Sequence, residues 1–347
     1  MREIDGSHGE GGGQILRTAI AFSILTQTPV RINNIRANRP QPGLKPQHLT
    51  VVRMLASLSS ADTTGLFIGS STILFHPHFL KTGNFRFDVG TAGSVVLIAQ
   101  TLILATLKTK KKIMVELTGG TDVKWAPSWD YFTNVFLPII KKLGVNVEVV
   151  LLKRGYYPKG GGSIRLIIHP SSDLNPISLV NPGKVVDIKG FIHCHGLPAH
   201  VMERMRQTVQ KETMQNGYRC QIQSDNHPTI SPGIILTLWT DADDRFLGAV
   251  GLGERGCPTE TIATESVQRI VSDIDSGAMV DQYLFDQILG FLVCVDGKSQ
   301  ILTPVLSSHA KTNIWLIDQF FHHKKCVRCS NNDSLVKVDV FGMNILG

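Results

Sequence analysis

The same order of elements occurs twice in succession in this chain and again near its C-terminus, and that repetition restricts the fold more than any single motif does. Residues 14–25 form an apolar helix entered from a glycine loop. VRINNIR then reads as a strand, LKPQHLTVVRMLASL as a helix, and TGLFIG and STILFHP as a pair of strands. The second unit repeats this order in SVVLIAQTLILATL, KIMVELT, SWDYFTNVFLPIIKKLG, VNVEVVLLKRG and GGSIRLIIHP, down to the matching endings FHP and IHP. A third unit is recognisable from residue 278 onward in VDQYLFDQILGFLVC, SQILTP, HAKTNIWLIDQFF, KKCVRCS and SLVKVDVF. Before it lies a stretch with strand signals of its own (VVDIKGFIHC, RCQIQSD, GIILTLWTD, LGAVGLGE) and two helical ones. The expected fold is α/β, in the α+β sense. Three helix–strand–helix–strand–strand units form a large domain over residues 1–182 and 278–347, and a smaller α/β domain is inserted over 183–277.

A chain of 347 residues, 42% hydrophobic and only 18% charged, has enough apolar surface for a sizeable core, which excludes a disordered chain. The net charge of +7 favours polyanionic partners such as nucleic acid or nucleotides. No apolar run reaches transmembrane length and the first residues carry no signal-peptide core, so a cytoplasmic protein without membrane contact is expected. Six scattered cysteines do not form a disulfide framework and are expected as thiols. His322, His323, Cys326 and Cys329 together could offer zinc ligands. A closed zinc site usually takes a second matching pair, and the alternation around Cys326, Val327 and Cys329 reads equally as a strand.

The stretch SHGEGGGQILR (residues 7–17) sets glycines before a helix, where backbone N–H groups can approach a phosphate. It matches neither the Walker loop nor the dinucleotide fingerprint, because Gln14 takes the last glycine position. Glu10 inside the loop would repel phosphate unless a cation stood between them, which makes it a candidate magnesium ligand. In IRANRPQPGLKPQHL, prolines stiffen a loop bearing Arg36, Arg39, Lys45, Gln47 and His48, whose guanidinium forks suit phosphate; a solvated basic loop is the plainer reading. DVGTAGSVV opens another apolar helix, with Gln100 inside it. Tyr283 and Asp286, three residues apart, share a helix face on which a base could stack and a ribose bond, or they are a surface pair. His309 follows the caps Ser307 and Ser308 at the head of an apolar helix, either as an ordinary polar start or as a nucleophile. A lysine nucleotidyl-transfer motif, K-x-D-G, is nearly present at residues 294–297, but Cys294 stands where the lysine would be.

Together and in this order, SHGEGGGQILR, IRANRPQPGLKPQHL, DVGTAGS, GGTDVKWAPS, RGYYPKGGG and SSHAKTNI closely resemble the RNA 3'-terminal phosphate cyclase family. The resemblance covers nearly the full length, most strongly residues 1–170 and the surroundings of His309, and least the insertion. It implies three repeated α/β units, similar to the C-terminal domain of a translation initiation factor and to enolpyruvyl transferases, plus an inserted α/β domain. It further implies ATP-dependent conversion of an RNA 3'-phosphate to a 2',3'-cyclic phosphate through a histidine–AMP intermediate, releasing AMP and pyrophosphate. By position, His309 matches the adenylated histidine, and Glu10 the acid that binds the magnesium or manganese of ATP. Arg17 and Gln100 match groups near the ATP phosphates, Pro127 and Tyr283 the pair sandwiching adenine, and Asp286 the ribose contact. Arg36, Arg39, Gln47 and His48 match the loop implicated in RNA-end binding. The expected partners are RNA with a 3'-phosphate end and ATP, and a homodimer is compatible with the resemblance. One branch of the family, a ribosome-biogenesis factor, lacks the histidine and the activity. The presence of His309 directs expectation to an active enzyme, with a catalytically inactive RNA-binding factor as the alternative.

Overall fold

Strands whose residues alternate between buried and half-buried, and helices that include one apolar almost all round, divide the chain into four-stranded sheets with helices packed on them. The computed structural model describes residues 1–9, 11–185, 187–242, 244–321, 326–332 and 334–346. The first sheet comprises β1 (Arg2–Asp5), β2 (Val30–Asn33), β3 (Asp62–Thr64) and β4 (Ile73–His76), with α1 (Gly13–Thr26) after β1 and α2 (Pro46–Leu58) after β2. Its strand order is β1-β2-β4-β3, with β1 parallel to β2 and β4 antiparallel to both its neighbours.

The second sheet is laid out alike. It contains β5 (Gly83–Asp88), α3 (Val95–Ala105), β6 (Ile113–Gly119), α4 (Trp129–Tyr131), a π-helical turn (Phe132–Phe136), α5 (Leu137–Lys142), β7 (Val147–Lys153) and β8 (Gly162–Ile168), in the order β5-β6-β8-β7. β9 (Ser178–Leu179) opens a third sheet, but the chain leaves it at once. It builds β10 (Asp187–His195), α6 (Ala199–Gln215), β11 (Arg219–Asp225), β12 (Gly233–Thr240), β13 (Gly248–Leu252) and α7 (Thr259–Asp275), whose strands make a separate sheet in the order β11-β10-β12-β13. The third sheet then resumes with α8 (Gln282–Leu292), β14 (Lys298–Thr303), α9 (Ser308–Phe320), β15 (Val327–Asn332) and β16 (Leu335–Phe341), in the order β9-β14-β16-β15.

The fold class is α+β as the periodicity implied, and two details differ from the sequence reading. Each unit begins with a strand, and these opening strands carry little apolar signal: β1 buries only Ile4, and β9 has two residues. TGLFIG (residues 64–69), expected as a strand, is for the most part the connection between β3 and β4. Gly65 and Gly69 take φ of 77° and 84° there, which ends extended pairing despite the β-prone residues between them.

α1, α3 and α8, the first helices of the three units, pack on one another at the centre. α3 is buried at every residue but Leu97, which explains why its sequence shows no polar stripe. Gly290 lets α8 approach α3 closely, since a Cβ there would stand 3.0 Å from the Leu104 side chain. Phe22 of α1 lies 5.4 Å from the Phe320 ring of α9, so α9 closes the same core. Among the described residues no helix is long and apolar enough to cross a membrane.

Candidate active site

The apolar central helices each carry polar residues on one side, and those sides converge. Gln14 and Arg17 of α1, Gln100 of α3, and Tyr283, Asp286 and Gln287 of α8 line one cleft of about 690 Å³, with Pro127 preceding α4 and His309 in the first turn of α9. Small-molecule sites span roughly 300–1,000 Å³, so the cleft is of that size. Its opposite wall comes from the inserted stretch, through Ile235 of β12, Gly248 to Leu252 of β13, and Ile262, Ser266 and Arg269 of α7.

Hydrogen bonds fix His309 to this cleft through its neighbours. Ser307 caps α9, its Oγ accepting from Ala310 N at 2.9 Å and donating to Asp286 Oδ2 at 3.0 Å. One turn further, Asn313 Nδ2 donates to the Asp286 carbonyl at 2.8 Å, while Gln14 Nε2 donates to the His309 carbonyl at 3.4 Å. The other ends of these two amides, Gln14 Oε1 and Asn313 Oδ1, are buried without a hydrogen-bond partner among the described residues. An open buried acceptor costs about 1–3 kcal/mol, so the arrangement favours a ligand that donates there. Gln100 Nε2 donates to Gln287 Oε1 at 2.6 Å. Burial pulls the Arg17 guanidinium down to about 10, with the Asp286 carboxylate opposing, so it is cationic at neutral pH.

Arg36, Arg39, Gln47 and His48 are not in the cleft wall; Arg39, Gln47 and His48 lie against the glycine turns beside it, and Arg36 bonds within its own loop. A side chain at Gly13 would run into the His48 ring and stand 3.2 Å from Arg17 Nη1, which brings the imidazole and the guanidinium together at that glycine. Arg39 Nη2 lies against Gly12, and Gln47 against Gly93 in the second glycine turn. His48 Nδ1 accepts from Lys45 N at 3.3 Å. Burial, then the charges of Arg17, Arg36 and Lys45, depress His48 to about 3, so it stays neutral. Arg36 Nη1 donates to the carbonyls of Gln41 at 2.7 Å and Gly43 at 3.2 Å, and so braces its own loop. α1 starts at the Gly12 N-cap with no side-chain cap among the described residues, leaving helix N–H groups for an anion. Glu10 lies outside the described residues, as do His322 and His323; Cys326 is buried, and Cys329 is exposed on β15.

Several residues of the site were not picked out from the sequence. Gln14 and Asn313 carried a usable signal, because they stand on the helix turns of Arg17 and His309. Asp281 was legible as a helix cap, but not its other partners. Besides the N–H groups of Tyr283 and Leu284, its buried carboxylate accepts Tyr131 Oη–H at 2.8 Å and Gly248 N–H at 3.0 Å, tying α8, α4 and the inserted sheet together beside the cleft. Burial pushes Asp281 up to about 6, against the pull of those hydrogen bonds.

The fold and the site define an α/β protein of like-ordered sheets around a polar, histidine-bearing cleft. Over residues 8–327 the sequence matches the family model described as RNA 3'-terminal phosphate cyclase, and the chain belongs to that family. It is 41% identical over 325 residues to the RNA 3'-terminal phosphate cyclase of Methanopyrus kandleri, covering 92% of each chain. With that of Archaeoglobus fulgidus it is 41% identical over 337 residues, 97% of this chain and all (100%) of the relative. Among solved structures, the enolpyruvyl transferase NikO from Streptomyces tendae superposes with a TM-score of 0.40 at 10% identity, over 99% of this chain and 49% of that one.

Proposed function

We propose that this chain converts an RNA 3'-terminal phosphate to a 2',3'-cyclic phosphate at the expense of ATP, through a covalent adenylate on His309. The observation that carries the reading is the position of His309: it stands on the wall of the cleft shared by Arg17, Gln100, Tyr283 and Asp286, in a member of a family whose relatives carry the cyclase name. A ring nitrogen of His309 attacks the α-phosphorus of ATP; a P–N bond forms, the bond to pyrophosphate breaks, and pyrophosphate leaves. An oxygen of the RNA 3'-phosphate then attacks the same phosphorus, the P–N bond breaks, and AMP passes to the RNA end. Finally the adjacent 2'-OH attacks the 3'-phosphorus, its proton is lost to solvent and AMP departs, a closure aided by proximity within one nucleotide.

In this reading Tyr283 and Pro127 hold the base, Asp286 the ribose, and Arg17 and Gln100 the phosphates. Arg36, Arg39, Gln47 and neutral His48 receive the RNA end beside the glycine loop. Glu10, within the glycine loop, is the carboxylate assigned to magnesium or manganese, hard cations that prefer oxygen ligands. The cation would offset charge on the departing pyrophosphate. Residues 183–277 act as a distinct inserted domain that closes the cleft from one side.

Incubation with ATP labelled at the α-phosphate and magnesium tests this directly. The protein should take up label that survives denaturation and passes to RNA bearing a 3'-phosphate, while His309→Ala takes up none. A 3'-phosphorylated DNA end, lacking the 2'-OH, should yield no cyclic product. Persistent labelling of the variant would remove His309 as nucleophile. Absence of label in the parent chain, with sedimentation on ribosomal precursors, would favour the inactive RNA-binding alternative.

A further inference from the structure

The outer edge of the first sheet holds a cluster that the proposed chemistry does not use. β3 is the edge strand, and its register sets Asp62 directly opposite His76 of β4. Paired residues project from the same face of a sheet, and an alternation of two returns His78 towards that face. The segment after β4 is pinned to the end of α2, with His78 N donating to the Ser59 carbonyl at 3.0 Å and Lys81 N to that of Leu58 at 2.7 Å. One carboxylate oxygen and two imidazole nitrogens therefore lie within 4.8 Å of one another. His78 Nε2 meets Asp62 Oδ2 at 2.9 Å, and the His76 and His78 ring centroids are 4.8 Å apart.

We propose that Asp62, His76 and His78 bind a borderline divalent cation, zinc(II) foremost, leaving at least one coordination position open. Two imidazoles and one carboxylate make a donor set that selects zinc or a neighbouring transition ion over magnesium and calcium. With metal–ligand bonds of about 2.0–2.2 Å, tetrahedral donor atoms stand roughly 3.3 Å apart. Reaching that spacing takes only rotamer changes in solvent, since the Asp62 and His78 side chains are 82% and 41% exposed. Lys108, Lys110 and Lys111 share a shallow cleft with His78, which weakens cation binding and favours an anion in the open position. The ion would staple the open end of the β3–β4 hairpin. At the other end, the connection between the strands supports the basic loop, with Gly69 N donating to the Leu44 carbonyl at 2.8 Å and Ile35 N to that of Ser71 at 3.0 Å.

Calorimetric titration of the full chain with zinc, in excess magnesium to fill carboxylate sites that prefer it, tests the assignment. The parent chain should bind one more zinc than the His76→Gln/His78→Gln variant. Losing ligands outright should weaken that site by more than the about 10–100-fold typical of outer partners. Cobalt(II) substituted at this site should give d–d bands without thiolate charge transfer, absent from the variant, which separates it from any cysteine-bound metal. Circular dichroism and Tm of the metal-free variant should match the parent, because these side chains project into solvent. Equal zinc stoichiometry and affinity in both chains, or cobalt bands that persist in the variant, would overturn the proposal and leave a solvated ion-pair cluster.

Discussion

Replacing Tyr131 by phenylalanine deletes one oxygen from the join between α4, α8 and the inserted sheet. The ring stays filled, so no cavity term arises. What is lost is the hydroxyl that donates to both Asp281 oxygens, at 2.9 and 2.8 Å, in a fully buried site. A hydrogen bond to a charged acceptor is worth about 1.5–3 kcal/mol, against about 0.5–1.5 for a neutral one. Asp281 titrates near 6 in the folded chain because burial disfavours its charge, against 3.8 unfolded. For an acid raised in this way, stability is complete below 3.8 and declines as pH rises through 6, by roughly 3 kcal/mol at 1.36 kcal/mol per pH unit. Without the hydroxyl the folded midpoint should climb by about one to two further units. The cost of Tyr131→Phe should then be about 1.5–3 kcal/mol at pH 8, shrinking towards about 0.5–1.5 at pH 5, where the carboxyl is protonated in the folded state of both chains. Urea denaturation at a series of pH values, followed by tryptophan fluorescence, measures it. A cost that is flat across this range, or greatest in acid, would refute the assignment of Asp281 as a buried carboxylate held by this donor.

Two further outcomes follow from buried charge. Arg154 Nη1 and Nη2 pair with Asp122 at 3.1 Å and Asp130 at 2.8 Å, all three side chains at most 9% exposed. Arg154→Met should therefore cost about 3–5 kcal/mol in urea denaturation, and adding Asp130→Asn should recover part of it. His48, depressed from 6.5 to about 3, binds its proton more readily when unfolded, so it contributes stability above pH 6.5 that is lost as pH falls towards 3. His48→Asn should flatten the acid limb of the stability profile by about 3 kcal/mol at pH 4; an unchanged limb would mean that the ring is not held neutral.

The order of helices and strands was legible because it rests on local periodicity, which survives without knowledge of what packs where. β6 and β8 alternate buried and half-buried residues throughout, and both were read from that pattern. The opening strands were not, since a four-residue strand with one buried side chain leaves almost no pattern to read. TGLFIG misled for the opposite reason: its composition suits a strand, while two glycines at positive φ turn it into a connection.

The candidate site divides in the same way. Arg17, Gln100, Asp286 and His309 stood out in the chain as polar residues beside or within apolar helices. That these residues face one another is a property of the packing of α1, α3, α8 and α9, which join segments nearly 300 positions apart, as in the 295-residue separation bridged by Gln14 and His309. The second wall of the cleft, the open amide oxygens of Gln14 and Asn313, the four-donor environment of Asp281 and the convergence of Asp62 with His76 and His78 had no expression in sequence spacing. The amino-acid sequence by itself determined which residue types were available and which elements carried them, because helix and strand periods are set within a few residues. Only the tertiary structure decided which of those residues share a cavity, a proton or a ligand position, because those relations depend on distances across the core that no local pattern encodes.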